Sequence, residues 1–281
     1  MRPTTEWQRG LQFFNGVLFL PSSGTDGAGR GLGTAWTTGA GTVAHPAPGT
    51  AFDTQFKRTT YTQVVTTTNQ ELGPRLSAAS DYQFWLGDKR FCGGFYLSTV
   101  FRIEAWNNDG GRLFIGLTNG ANANCISDTL QNNSMGLFHK STDGANILNF
   151  VTRDNAGNEA TQVVADATHA VGTLAAGNTL LWEMWHWPNA ISPASVGITG
   201  VSVNWKLSLF DTSNGADAVP KPLNRVKKLN FQENTFVSPA AVLTKMCAPQ
   251  VQMSNGADTT AGHFSIGIAN IYCAPWSGEM D

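Results

Sequence analysis

The chain has little charge. Only 14% of its 281 residues are Asp, Glu, Lys or Arg, and 18 basic residues stand against 20 acidic ones. Lys227-Lys228 is the longest basic run, a solvated strand end rather than a nucleic-acid interface. Cysteine is scarce too. Cys92, Cys125, Cys247 and Cys273 include no CxxC pair, which excludes a metal or redox motif of that kind. They read as buried free thiols of a protein made in a reducing cytoplasm, with a disulfide such as Cys247–Cys273 left open. No apolar run is long enough to cross a membrane. The patch Leu18-Phe19-Leu20 is too short for a signal peptide and is followed by Pro21, so export by the usual route is not expected.

Catalytic signatures are missing as well. There is no GxSxG elbow, no HExxH, no phosphate-binding loop and no GxGxxG leading into a helix. His45, His139, His169, His186 and His263 are scattered singly and read as structural. The expectation is a protein without catalytic residues, cofactor or metal. The loop Asp154–Glu159 carries oxygen ligands but lacks calcium-loop spacing, and a hairpin turn explains it equally well. Glu104 and Glu183 both fall on outward strand positions. They would form a glycosidase pair only if their strands were neighbours and brought them within about 5–10 Å.

What the chain does have is β pattern. Helical periodicity is almost absent, whereas 30 glycines, 16 phenylalanines and nine tryptophans suit a turn-rich, well-cored all-β protein. Phe95, Leu97, Phe101 and Ile103 alternate with Tyr96, Ser98, Arg102 and Glu104; Leu113, Ile115 and Leu117 alternate with Arg112, Phe114 and Thr118. The connector Asn107–Gly111 tolerates positive φ, so residues 93–120 are predicted to form one hairpin. Further strands are predicted at Thr60–Thr68 (an edge or outer strand), Asp81–Leu86, Met135–Lys140, Ile147–Arg153, Gln162–Val164, Leu180–Trp187, Val201–Phe210, Arg225–Phe231, Val242–Met246 and Phe264–Cys273. A helical turn is allowed at 127–130. A set of this size with turn signals between its members predicts an antiparallel β-sandwich or jelly roll.

Residues 1–52 differ, being rich in Gly, Ala and Thr. They read as an extended N-terminal arm before a domain at 53–281. Such an arm is ordered only when tied down, by neighbouring chains of an assembly or by its own domain. Phe13 and Phe14 lie in its one apolar stretch, a short hairpin or docking strand. The strand Leu181–Pro188 (LWEMWHWP) places Trp182, Met184 and His186 on one side and Glu183, Trp185 and Trp187 on the other. One side is core. The other must meet a loop of the same chain, a partner subunit or a sugar.

The segments CGGFYLSTVFRIEAW (92–106), RLFIGL (112–117), MGLFHK (135–140), LWEMWHWPN (181–189) and FSIGIANIY (264–272) occur in this order. In order and spacing they resemble a domain frequent in tail-fibre and other virion structural proteins of tailed bacteriophages, over residues from about 55 to 276. Trp185 and Trp187 stand where that family has smaller residues. The resemblance implies a lectin-like, jelly-roll or concanavalin-like sandwich without enzymatic activity. It also implies a homotrimer, a place in the virion and other virion proteins as partners. A host surface glycan is a further partner if the module recognises receptors, and a capsid decoration protein and a glycan depolymerase are the alternatives. Neither nucleic acid nor membrane insertion is expected. Trp185, Trp187, Glu183, Trp106, Phe13 and Phe14 are the candidate binding or interface residues.

Overall fold

A computed structural model describes residues 17–19, 35–37, 41–44, 58–63, 71–74, 84–85, 94–106, 111–119, 127–143, 147–169, 172, 174–186, 201–210, 228–238, 246–255 and 264–275. Among them are strands and turns and no helix. The strands are β1 (Val17–Phe19), β2 (Ala35–Thr37), β3 (Gly41–Ala44), β4 (Thr59–Gln63), β5 (Glu71–Pro74), β6 (Phe84–Trp85), β7 (Phe95–Trp106) and β8 (Arg112–Thr118). They continue as β9 (Ser134–His139), β10 (Leu148–Arg153), β11 (Glu159–Ala165), β12 (Thr179–His186), β13 (Val201–Phe210), β14 (Lys228–Ser238), β15 (Met246–Ser254) and β16 (Phe264–Pro275).

They form two antiparallel sheets. Sheet I has the order β14-β13-β12-β7-β16-β4-β3, with β1 also on β16; sheet II has the order β11-β10-β9-β8-β15-β5-β2, with β6 also on β15. Two meanders, β8 to β11 and β12 to β14, supply one wing of each sheet, and β15 and β16 then enter the two sheets beside β8 and β7. The protein is an all-β sandwich. Within residues 1–52, β1 and β3 extend sheet I and β2 extends sheet II, so both sheets continue across residue 52. Phe13 and Phe14 lie outside the described residues.

The predicted 93–120 hairpin does not form. β7 pairs with β12 and β16, whereas β8 pairs with β9 and β15. The alternation was read to the right faces, because Phe101 and Ile103 share one core cluster with Leu113 and Ile115. Yet period-two patterning fixes which face is buried and says nothing of which strand is the neighbour. Both strands carry more apolar bulk than one half-buried hairpin can cover. They bury it by facing each other across the sandwich, as aligned sheet packing requires.

Other boundaries move as well. Val201–Phe210 is β13 to the residue. Of the strand predicted at Val242–Met246 only Met246 lies among the described residues, where it opens β15, a strand that runs on through Pro249 to Ser254. The proline is accommodated locally. β6 pairs with Met246 and Cys247 and β5 with Met253 and Ser254, so among the described residues Pro249 has a partner strand only on its β8 side. β4 is not an edge, since β3 lies outside it. The possible helical turn at 127–130 is a bend, in which Ser127 Oγ accepts the Thr129 N–H at 3.3 Å.

The core is aromatic at its centre. Trp182 of β12 stacks on Trp205 of β13, with ring centroids 6.0 Å apart, and tilts against Phe150 of β10 at 5.6 Å. The second contact joins the two sheets. So does the Trp205 indole N–H, which donates to Gln162 Oε1 of β11 at 3.0 Å and satisfies the polar atom a buried tryptophan carries. Cys247 and Cys273 are buried free thiols and no disulfide links them. Burial, and then the neighbouring Cys247, pushes the Cys273 thiol well above its ordinary value.

On the far side of sheet II, Gly116 of β8 stands opposite Gly136 of β9. A Cβ on Gly116 would lie 2.2 Å from the Met135 carbonyl oxygen and 2.6 Å from Gly136 Cα. These are the glycines of RLFIGL and MGLFHK. Phe114 packs edge-on to Phe138 beside them, and Leu130 and Val151 complete this small outer cluster.

Candidate functional site

The outer face of sheet I gathers most of the unusual chemistry. Along β7 the outward residues are Tyr96, Ser98, Val100, Arg102 and Glu104, and the first four each stand in a row running across the neighbouring strands. The face divides into three zones.

At one end lies Glu183 of β12, opposite Ser98 of β7 and Lys206 of β13. Glu183 is 4% exposed and Trp185, next along the same face, is 5% exposed. The Tyr96 hydroxyl donates to Glu183 Oε1 at 2.6 Å, and the Tyr96 ring tilts against Tyr272 of β16 at 6.0 Å. Glu183 Oε2 is buried without a hydrogen-bond partner among the described residues.

The middle is apolar. Val100, Phe210 and Ala269 form a buried cluster with Leu181 against it. Ala269 comes outward because β16 bulges there, and the Asn270 side chain accepts the Val100 N–H at 3.3 Å where the ladder is interrupted.

The other end is charged. Glu104 sits between two guanidinium groups: Arg58, just before β4, reaches Glu104 Oε1 with Nε at 2.5 Å, and Arg102 donates to Glu104 Oε2. Gly267 of β16 lies beneath them, where a Cβ would fall 2.7 Å from Arg58 Cδ. A side chain there would displace the arginine. Arg58 is 6% exposed.

The sequence-derived candidates are therefore divided. Glu183 and Trp185 share one face, as the alternation predicts, and both are already buried within the single chain. Trp106 is not with them. A bulge at Glu104 shifts the parity of β7, so that Ala105 pairs with Ser265 and Trp106 turns to the core side. There it meets His139 of β9 edge-on at 5.1 Å. Trp187, Phe13 and Phe14 lie outside the described residues. Glu104 and Glu183 are on one face but are not brought together. Glu183 stands opposite Ser98, six residues along β7 from Glu104, or about 20 Å at the strand rise. That exceeds the spacing of a glycosidase pair, and each carboxylate is held by its own partners.

Elsewhere polar groups are locked into turns. Asp128 accepts from Arg112 Nε at 2.7 Å and from the Ser141 N–H at 2.7 Å, and tethers the 127–133 segment to sheet II. Burial pushes its carboxyl up, but the Ser141 and Arg112 hydrogen bonds outweigh this and hold it below the ordinary value. Asp154 accepts from the Asn158 N–H and Nδ2, both at 2.8 Å, in the turn joining β10 to β11. The loop considered for calcium is thus a hairpin turn. Among the described residues no three His, Cys, Asp or Glu side chains come together as metal ligands, and no helix is long and apolar enough to cross a membrane.

The Arg58–Glu104–Arg102 cluster escaped sequence reading. Arg102 and Glu104 were visible as outward positions, but Arg58 is 46 residues from Glu104 and joins it only through the order β7-β16-β4. The residue that marks the spot in sequence is Gly267, a glycine on the outward side of β16 between the core residues Ile266 and Ile268.

No protein-family model and no curated protein matches the chain. Among solved structures, it is similar to a protein of unknown function from Shewanella oneidensis MR-1, at 12% identity and a TM-score of 0.50, covering 100% of this chain and 97% of that one. It is also similar to peanut lectin bound to a nine-residue peptide, at 9% identity and a TM-score of 0.50, covering 92% of this chain and 96% of that one. At such identities the likeness is one of fold: the chain is a lectin-like, concanavalin-type β-sandwich.

Proposed function

We propose that this lectin-like sandwich is a non-enzymatic structural protein of a bacteriophage particle, made in the host cytoplasm. Its place is a tail fibre or tail-associated appendage, where it assembles as a homotrimer with other virion proteins and contributes to host attachment. The observation that carries this reading is where the resemblance segments fall. They coincide with β7, β8, β9, β12 and β16. Three of these, β12-β7-β16, are contiguous in sheet I, and β9-β8 are contiguous in sheet II. Five scattered segments are thus one folded centre, with the glycines of two of them packed against each other.

Mass spectrometry and immunogold labelling of gradient-purified particles test the reading. The protein is expected in stoichiometric amount and at the tail. Its absence from particles, with the protein abundant in the infected cell, overturns the assignment. Light scattering of the purified chain is expected to give a trimer, and a monomer at micromolar concentration removes the oligomer.

A further inference from the structure

We propose that Cys247 and Cys273 form a latent redox pair, which closes into a disulfide between the two sheets when the chain meets an oxidising medium. Both carry thiols in this structure, and both are buried, at 0% and 4% exposed. Cys247 is the second residue of β15 in sheet II, and Cys273 lies two residues before the end of β16 in sheet I. Both belong to one core cluster, so each side chain points into the space between the sheets. They also stand at the same end of it. Cys273 pairs with Leu97, near the start of β7, and Cys247 precedes Ala248, which pairs with Thr118 at the end of β8. Residues 107–111 join the end of β7 to the start of β8, and the two strands share the core cluster, so the start of β7 lies over the end of β8. Cys247 is also the second cause, after burial, of the raised Cys273 thiol, which agrees with the two being neighbours.

The chemistry balances with a small disulfide, such as oxidised glutathione, as the oxidant. One cysteine thiolate attacks it and releases one small thiol; the second thiolate then displaces the other. The chain loses two hydrogens, a bond forms between the two sulfurs, and the oxidant becomes two thiols. In the folded chain this is slow, because the thiolate is the nucleophile and burial holds Cys273 as the thiol. The reaction goes through openings of this end of the sandwich. On the side away from β7 and β8 that end is lightly held: Cys247 pairs with Phe84 of the two-residue β6, and Cys273 with Val17 of the three-residue β1. Packed sheets lie about 10 Å apart and a disulfide needs Cα atoms within about 7 Å, so closure also draws these strand ends together. A reducing cytoplasm keeps the pair open. Closure on release of a particle into an oxidising medium rests on the virion reading; the pairing of the two residues does not.

Oxidative refolding of the full chain tests the pair. The chain is unfolded in urea, refolded by dilution into a buffer of reduced and oxidised glutathione, alkylated and digested. Peptide mass mapping is expected to find Cys247 joined to Cys273, lighter than the two separate thiol peptides by two hydrogens. The linked chain should unfold in urea at a midpoint about 1 M above that of the same chain after reduction. The folded chain left in oxidised glutathione should reach the same link, more slowly. Cys247 and Cys273 both found alkylated after either treatment overturns the pair, as does linkage of either one to Cys92 or Cys125. So does a link that leaves the midpoint unchanged or lowers it. In folded Cys273→Ala the midpoint should no longer respond to oxidation, and a response that persists is decisive against the pair; the mapping of the natural chain decides the matter if that variant does not fold. None of these outcomes depends on where the protein resides, so its absence from particles leaves the pairing standing.

Discussion

Replacing Gly116 by alanine is a one-carbon change with an outsized expected effect. The added Cβ would sit 2.2 Å from the Met135 carbonyl oxygen, 2.6 Å from Gly136 Cα and 2.9 Å from Phe114 Cζ. Carbon–oxygen contacts between strands are normally about 3.3–3.6 Å, so β8 and β9 must separate locally by about 1 Å. Two of the three obstructing atoms are backbone and cannot rotate away. Overpacking of this sort costs about 1–3 kcal/mol, and a ladder hydrogen bond lost in the separation adds about 1 kcal/mol. The reduced freedom of the unfolded alanine chain offsets about 0.5–1 kcal/mol. The net loss is about 2 kcal/mol. Urea unfolding followed by tryptophan fluorescence measures it, and with a slope of about 3 kcal/mol/M the midpoint should fall by about 0.7 M. Gly172→Ala is the control, since Gly172 has φ +73° and, among the described residues, nothing within 4 Å of its Cβ position. Backbone strain alone should cost that variant about 1–2 kcal/mol. A Gly116→Ala protein as stable as wild type, or less destabilised than Gly172→Ala, would refute the close-approach argument.

Two further outcomes concern pH. Asp128 is held below the ordinary carboxylate value in the folded chain, so its contribution is complete above about pH 4 and disappears as pH falls through the folded-state value. Asp128→Asn should therefore lower the urea midpoint at pH 7, and its gap to wild type should close on acidification; a gap that is constant with pH counts against the hydrogen-bond account. Burial lowers the His139 pKa, outweighing the Ile147 carbonyl and the nearby Asp143 and Asp128, so below about pH 6.5 the unfolded chain takes up a proton the folded chain resists. Wild type should lose stability between pH 6.5 and pH 5 more steeply than His139→Gln, and parallel pH profiles would show that His139 is not held neutral.

The faces of the strands were legible in the sequence, and their neighbours were not. Leu113, Ile115 and Leu117 point inward as their alternation says, because burial of one face is a local property of a strand. The partner of β8 depends instead on β15, more than a hundred residues later, which no local pattern encodes. The same distinction explains the site. Glu183 and Trp185 could be assigned to one face from their spacing alone, whereas Trp106 was turned inward by a single bulged residue, Glu104. Bulges shift parity without changing composition, so period counting fails beyond them. The Arg58 cluster needed three strands in a known order before its members came together.

The order of strands also dictates when the protein can become itself. β16 lies between β7 and β4, and β15 lies against β8 with β5 and β6 beyond it, so the strands translated last of those described complete the middle of both sheets. At roughly 5–20 residues per second, the ribosome takes about 10–30 s to travel from the end of β7 to the start of β16. Throughout that interval the β7 edge destined for β16 is unpaired, and such edges are where neighbouring chains join by mistake. Slow, non-local closure of this kind makes the nascent chain a natural client for chaperones. A ribosome that stalls before β16 releases a product with a gap through sheet I, open to proteolysis.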